Sequence, residues 1–342
     1  MNTLLQLLSA VFGAGVSLRR VAYRRGWFQT HRLNRPVVSV GNLSVGGTGK
    51  TPLVVLIART LVAGGHRPCI LTRGYGRRGG SEPIVLEPGP HRVADPREVG
   101  DEPAALAKEL PNVLVVVSPD RLRGGTIAEQ RFQATVHLLD DGFQHFALAR
   151  DLDIVLLDTT RSVSDLALLP AGRWREPFSA LRRAHWVVLT RTELGDGGSL
   201  QERIQEINPL ARIFRCSTKF SGLVDARTGL PEAPENLLSK KVAAFCGIGN
   251  PAAFFADLQR WGFRVVGESI FPDHHVYRRH EIDSLFARWR SEGVEAVLTT
   301  QKDAMNLPAV WNFQLPLFAC CIHPEIEEKM EFERALLAAV ET

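Results

Sequence analysis

The chain has 342 residues, 45% hydrophobic and 23% charged, with a formal net charge of +4. That is ordinary globular composition, long enough for two cores at roughly 100 to 200 residues each, and the charge is too mild and dispersed to argue for nucleic-acid binding. The 5 cysteines, Cys69, Cys216, Cys246, Cys320 and Cys321, are odd in number and never spaced Cys-x-x-Cys. They indicate neither a disulfide framework nor a zinc site and suit buried thiols of a reducing cytosol.

The N-terminus departs from that picture. Leu4 to Leu18 is almost wholly apolar and is followed by Arg19, Arg20, Arg24 and Arg25. The run is short for a spanning helix, and its charges follow the apolar stretch, unlike a signal peptide. Residues 1–25 are therefore expected to form an interfacial helix, with the arginines on anionic headgroups at about 1 kcal/mol each. The alternative is a core helix of a soluble domain.

Arg35-Pro36 closes this leader, and Val37 to Val40 reads as a buried strand ending at Gly41. A helix over Pro52 to Ala63 follows, ended by Gly64-Gly65. Further strands are expected at Pro68 to Thr72, Val113 to Ser118, Thr135 to Leu139, Asp153 to Leu157 and Trp186 to Thr190, with a helix over Glu102 to Leu110. This alternation predicts a doubly wound, mostly parallel α/β sheet of the P-loop NTPase type over residues 26–215. Residues 216–240, rich in Gly, Pro and Ser around Asp225-Ala226-Arg227-Thr228-Gly229, read as a hairpin-like linker. Alternation resumes over 241–342, which predicts a second, smaller α/β domain. Ligands of such sheets sit at the carboxyl ends of strands.

Between the first strand and helix stand Ser44-Val45-Gly46-Gly47-Thr48-Gly49-Lys50-Thr51. Glycines let successive amides turn inward around a β-phosphate, Lys50 can reach the β and γ oxygens, and Thr51 offers a hydroxyl to Mg2+. Ser44 stands where the strict motif has glycine, so the match is to the variant with a Gly-Gly pair. Such a loop needs an acid at the end of another strand. Asp140-Asp141 and Asp158 both qualify, and the double aspartate is favoured because Gly142-Phe143-Gln144-His145 adds polar groups that packing does not require.

Asp101 opens a helix in Gly100-Asp101-Glu102-Pro103, where a plain N-cap is the ordinary reading. Asp273-His274-His275 suits an acid-oriented general base, metal ligation or a solvated loop, and no third ligand at useful spacing supports the metal. Arg73-Gly74-Tyr75-Gly76-Arg77-Arg78 and Gly172-Arg173-Trp174-Arg175-Glu176-Pro177 mix guanidinium groups with aromatic rings, as phosphate- and sugar-binding loops do.

These segments resemble the tetraacyldisaccharide 4'-kinase family of lipid A synthesis over nearly the whole chain. The resemblance rests on Arg35-Pro-Val-Val-Ser-Val-Gly-Asn-Leu-Ser-Val-Gly-Gly-Thr-Gly-Lys-Thr-Pro52, Thr72-Arg-Gly-Tyr-Gly76, Gly100-Asp-Glu-Pro103, Asp140-Asp-Gly-Phe-Gln-His145, Arg175-Glu-Pro177, Gly247-Ile-Gly-Asn-Pro251 and Phe271-Pro-Asp-His-His-Val-Tyr277. One departure is Thr300-Gln301-Lys302-Asp303, where the family would carry Glu at 301.

The resemblance implies transfer of the γ-phosphoryl group of ATP to the 4'-hydroxyl of tetraacyldisaccharide 1-phosphate, at the cytoplasmic face of the bacterial inner membrane. It implies Asp101 and His274 as a catalytic pair working with Lys50, and domain closure to align them. Asp140, Asp141 and Glu176 match acidic residues near Mg2+. Tyr75, Arg121, Gln144 and Arg175 match positions lining the substrate site. Nothing indicates an obligate protein partner.

The competing class is a regulatory ATPase or GTPase switch. Its partitioning branch would carry Lys where this chain has Val45, and a guanine reader would carry Thr-Lys-x-Asp, to which Thr190-Arg191-Thr192-Glu193 is the nearest approach.

Overall fold

A computed structural model describes residues 3–74, 82–89, 95–161, 166–308 and 315–341. The chain divides into two compact units, Met1–Ser217 with Pro324–Thr342, and Thr218–His323.

The first unit opens with α1 (Thr3–Arg24). Strand β1 (Val37–Asn42) leads into the phosphate loop and α2 (Lys50–Ala63) leaves it. There follow β2 (Pro68–Thr72), the short β3 (Ile84–Leu86), α3 (Pro96–Val99), α4 (Asp101–Glu109), β4 (Leu114–Val117) and α5 (Arg121–Phe132). After these come β5 (Val136–Asp140), β6 (Leu152–Asp158), a 3-10 turn at Phe178–Arg183, β7 (Trp186–Thr190), α6 (Gly197–Ile207) and the first part of β8 (Arg212–Asp225).

The strand order is β3-β4-β2-β5-β1-β6-β7-β8, and every pairing is parallel except that of β3 with β4. Strands β1, β2, β4, β5, β6 and β7 are buried at every residue, as a parallel sheet covered on both faces requires. In sequence they are correspondingly near-continuous runs of Val, Leu and Ile. Strand β1 lies between β5 and β6, so the carboxyl ends of β1 and β5 deliver the phosphate loop and the double aspartate side by side.

Helix α5 carries little apolar signal and two consecutive glycines. Those glycines are what let it dock: a Cβ on Gly125 would come within 2.3 Å of Leu33. Asp120 caps the helix by accepting from the Arg123 N–H at 3.0 Å.

The second unit contains the far part of β8, β9 (Pro231–Glu232), α7 (Glu235–Leu238), β10 (Lys241–Cys246), α8 (Pro251–Arg260), β11 (Arg264–Ile270), α9 (Arg279–Ser291), β12 (Ala296–Thr300), α10 (Gln301–Met305) and most of β13 (Leu317–Ile326). Parallel strands run in the order β11-β10-β12-β13. Apolar clusters pack on both faces, one around Phe254, Phe255 and Leu258 and the other around Tyr277, Phe286 and Trp289.

The expected linker is the end of a long strand. Strand β8 continues through 216–225 and folds back on β9 in antiparallel pairing, with Asp225 Oδ1 accepting the Arg227 and Thr228 N–H groups at 2.9 and 2.8 Å in the turn. The last helix, α11 (Lys329–Val340), belongs to the first unit, not to the smaller domain expected over 241–342. Its Phe332 is fully buried between Trp186 and Phe214, with ring centroids 5.4 and 5.1 Å away.

Candidate functional site

The phosphate loop is held at its entrance by the segment that carries Arg173 to Glu176. Val45 N–H donates to Arg173 O at 2.8 Å, and Arg175 N–H donates to Leu43 O at 2.7 Å. Within the loop, Gly46 (φ 103°) and Gly49 (φ 86°) take left-handed conformations that side chains resist. Asn42 Nδ2 donates to Thr48 Oγ1 at 2.8 Å. Gly49 stands at the N-cap of α2 and no side chain caps that helix, so its first-turn amides are free to receive an anion.

Next to this helix start lie the two aspartates. Lys50 Nζ is 3.6 Å from Asp141 Oδ1, and Arg175 donates to Asp141 Oδ2 at 2.6 Å. Burial alone would raise the Asp141 carboxyl, but the charges of Lys50 and Arg175 outweigh it and hold the group below its ordinary value. Asp140 behaves oppositely: burial first, then the Glu102 and Asp141 carboxylates, push it up to about 7 against Lys50 and Arg121. Arg121 is itself buried, donates to Ser118 O at 2.7 Å and is lowered to about 10 by burial, with Asp140 opposing.

Two neighbouring carboxylates, one destabilised as an anion and the other with a buried Oδ1 that accepts no hydrogen bond, fit a divalent cation. Among the described residues no group of three or more His, Cys, Asp or Glu side chains could hold a metal. A cation here would share its coordination with phosphate oxygens and water, as magnesium does in phosphoryl-transfer sites.

Glu176, expected near the metal, is 1% exposed and has both oxygens occupied. Arg183 clamps it with two donors at 2.9 Å, and Gln144 Nε2 donates to it at 3.0 Å and to Asn42 O at 2.9 Å. Glu176 thus ties Gln144 to the end of β1. Asp158, the competing strand-end acid, turns to Arg191, with Arg161 at 3.6 Å.

Asp101 is the first residue of α4, and Gly100 (φ 96°) occupies the N-cap, so Asp101 does not play the capping part. Glu102 lies close enough to raise Asp140. Thr51 is the second residue of α2. Tyr75 lies outside the described residues.

His274 belongs to the second unit. Its backbone is left-handed (φ 61°), and its N–H donates to Gly247 O at 3.2 Å. Its Nε2 is 3.3 Å from Lys302 Nζ, which also donates to Asp273 Oδ1 at 2.9 Å. Beneath them, Asp303 is 1% exposed and accepts from the Gly247 N–H at 2.8 Å, Tyr277 Oη at 2.7 Å and Thr300 Oγ1 at 2.6 Å. Burial raises the Asp303 carboxyl despite these donors.

Sequence reasoning missed Asn42, Glu102, Arg183, Lys302 and Asp303 as parts of these clusters. Asn42 and Glu102 adjoin recognised motifs and were within reach of that reasoning. Arg183 is an ordinary arginine in a 3-10 turn, and nothing local marks it.

A family model described as tetraacyldisaccharide-1-P 4'-kinase matches residues 1–341. A protein named tetraacyldisaccharide 4'-kinase from Geobacter metallireducens is 36% identical over 97% of this chain and 96% of its own length. One of the same name from Koribacter versatilis is 42% identical, over 91% of each chain. The crystal structure of "apo" form LpxK from Aquifex aeolicus in complex with ATP superposes with a TM-score of 0.74 at 32% identity, covering 97% of each chain. The chain belongs to the tetraacyldisaccharide 4'-kinase family.

Proposed function

We propose that this family member transfers the γ-phosphoryl group of ATP to the 4'-hydroxyl of tetraacyldisaccharide 1-phosphate in lipid A synthesis, on the cytoplasmic face of the inner membrane. The observation that carries this reading is the chain of charges Arg175–Asp141–Lys50 at the uncapped start of α2. Phosphoryl transfer asks the protein mainly for positioning and charge stabilisation, and this arrangement supplies both.

In this mechanism the loop amides from Ser44 to Thr51 hold the donor phosphates and Lys50 neutralises charge on the transferred group. Thr51, Asp140 and Asp141 are the residues to hold magnesium, which when bound would spread the charge of the β and γ phosphate oxygens. Glu176, clamped by Arg183, accepts directly from Gln144 and braces it beside the metal-holding acids. Arg121, Arg175, Gln144 and Tyr75 take the substrate-binding roles. Asp101 and His274 take the proton of the attacking hydroxyl.

Helix α1 supports the membrane surface as the place of reaction. It has 22 residues, is apolar enough to cross a membrane, and leaves Leu4, Leu7, Val11 and Leu18 about 60% exposed. Trp27 and Phe28 are exposed just beyond it, and Arg25 lies over Trp27.

The test is to incubate the protein with ATP, magnesium and tetraacyldisaccharide 1-phosphate. A product heavier by one phosphate, formed only with the lipid present, is expected. Nucleotide turnover indifferent to the lipid would overturn the reading. The full chain should sediment with anionic vesicles and a form lacking residues 1–25 should not; sedimentation of both would remove α1 as the anchor.

A further inference from the structure

The end of β7 reaches the phosphate loop from behind. Arg191 Nη1 donates to Gly47 O at 2.9 Å, and the neighbouring Thr190 Oγ1 donates to Thr48 O at 3.1 Å. In a trans peptide the carbonyl of one residue and the N–H of the next point in opposite directions. Fixing the carbonyls of Gly47 and Thr48 toward β7 therefore turns the N–H groups of Thr48 and Gly49 away from it. Those are amides that a phosphate loop aims at its ligand.

Arg191 is itself held. Its φ is 58°, its carbonyl accepts from Thr159 Oγ1 at 2.7 Å, and its guanidinium is ion-paired with Asp158. The Asp158 side chain is wholly buried and that of Arg191 is 14% exposed. A buried ion pair contributes little net stability compared with apolar residues of the same shape, so geometry is the better reason for one behind a ligand-binding loop.

We propose that Asp158 and Arg191, with Thr190, are positioning residues that preset the phosphate loop for the nucleotide's phosphates. The segment that came nearest to a guanine-reading signature, Thr190-Arg191-Thr192-Glu193, thus shapes the loop from the side away from the ligand. The proposal rests on the nucleotide-binding part of the function above and not on the identity of the acceptor.

Calorimetric titration of the full chain in detergent with ADP tests it. Arg191→Met is expected to raise the Kd for ADP about tenfold, the worth of one charge-assisted hydrogen bond. Arg191→Lys should recover most of that loss, since a lysine can still answer both Asp158 and Gly47. Asp158 acts through Arg191, so Arg191→Met/Asp158→Asn should bind ADP no more weakly than Arg191→Met alone. The double variant leaves Asp158 uncharged, so it serves as the primary test if the single variant does not fold.

An ADP Kd within about twofold of the wild type in Arg191→Met and in the double variant, whatever happens to the melting temperature, would overturn the proposal. So would a double variant weakened by the product of the effects of Arg191→Met and Asp158→Asn measured singly. A wild-type chain that binds ADP but does not phosphorylate the lipid would refute the acceptor assignment and leave this test intact.

Discussion

Around the phosphate loop, buried carboxylates are answered by arginines, Asp158 by Arg191 and Glu176 by Arg183, and the largely buried Lys50 pairs with the partly exposed Asp141. Around His274 the charged side chains of Asp273, His274 and Lys302 are each about a third exposed, and the buried order comes from Asp303 beneath them. Exposed pairs are screened by solvent and hold geometry loosely, whereas buried ones commit their neighbours to one arrangement. The difference suits the proposed roles, a donor site set before ATP arrives and a proton acceptor on a more exposed loop.

The sharpest way to break this comparison is at Lys50. Lys50→Ala should lower kcat/KM for ATP by about a thousandfold or more, since in the proposed mechanism Lys50 neutralises charge on the transferred group. A loss under tenfold in a steady-state assay would show that the donor site does not depend on it.

Next in size is His274→Ala, expected to lower kcat about a hundredfold with little change in the KM for ATP, as removal of a general base does. Asp101→Asn should behave alike. An equal rise in the KM for ATP would put these residues with the donor and erase the contrast.

Asp303→Ala separates support from chemistry. It orphans the Gly247 N–H and the Tyr277 hydroxyl, and should cost about 3 kcal/mol in urea unfolding while leaving ADP affinity unchanged. A weakened ADP Kd would contradict the assignment of Asp303 to the His274 cluster alone.

The smallest effect concerns acid. Burial, then Arg121, Arg150 and Arg19, lower the His145 imidazole from 6.5 to about 4. A histidine depressed in the folded state resists a proton that the unfolded chain accepts, so its stabilisation is complete above about pH 6.5 and is lost as pH falls toward 4. The urea midpoint should fall between pH 7 and pH 5, and His145→Gln should flatten that fall. An unchanged slope would mean that burial and the surrounding arginines do not lower His145.

Much of the molecule was legible residue by residue. The glycines and lysine of the phosphate loop, the apolar runs of β1, β2, β4, β5, β6 and β7 and the Asp140-Asp141 pair are contiguous, so their demands show within a few positions. Helix α5 was not legible, because Gly124 and Gly125 weaken a helix in isolation and acquire their purpose only against Leu33 and Val116. Nor was the strut from Arg191 to Gly47, whose partners stand 144 residues apart.

What the sequence determined by itself is therefore local: a strand, a glycine-rich turn and a helix start that together bind phosphate, and an alternation of elements that makes a parallel sheet. Only the tertiary structure decided that Asp141 turns to Lys50 while Asp158 turns to Arg191, that Glu176 braces Gln144, and that α11 returns to the first unit. Backbone preferences and capping act over a few residues, whereas the choice of partner for a buried charge waits on which distant strands become neighbours in the sheet.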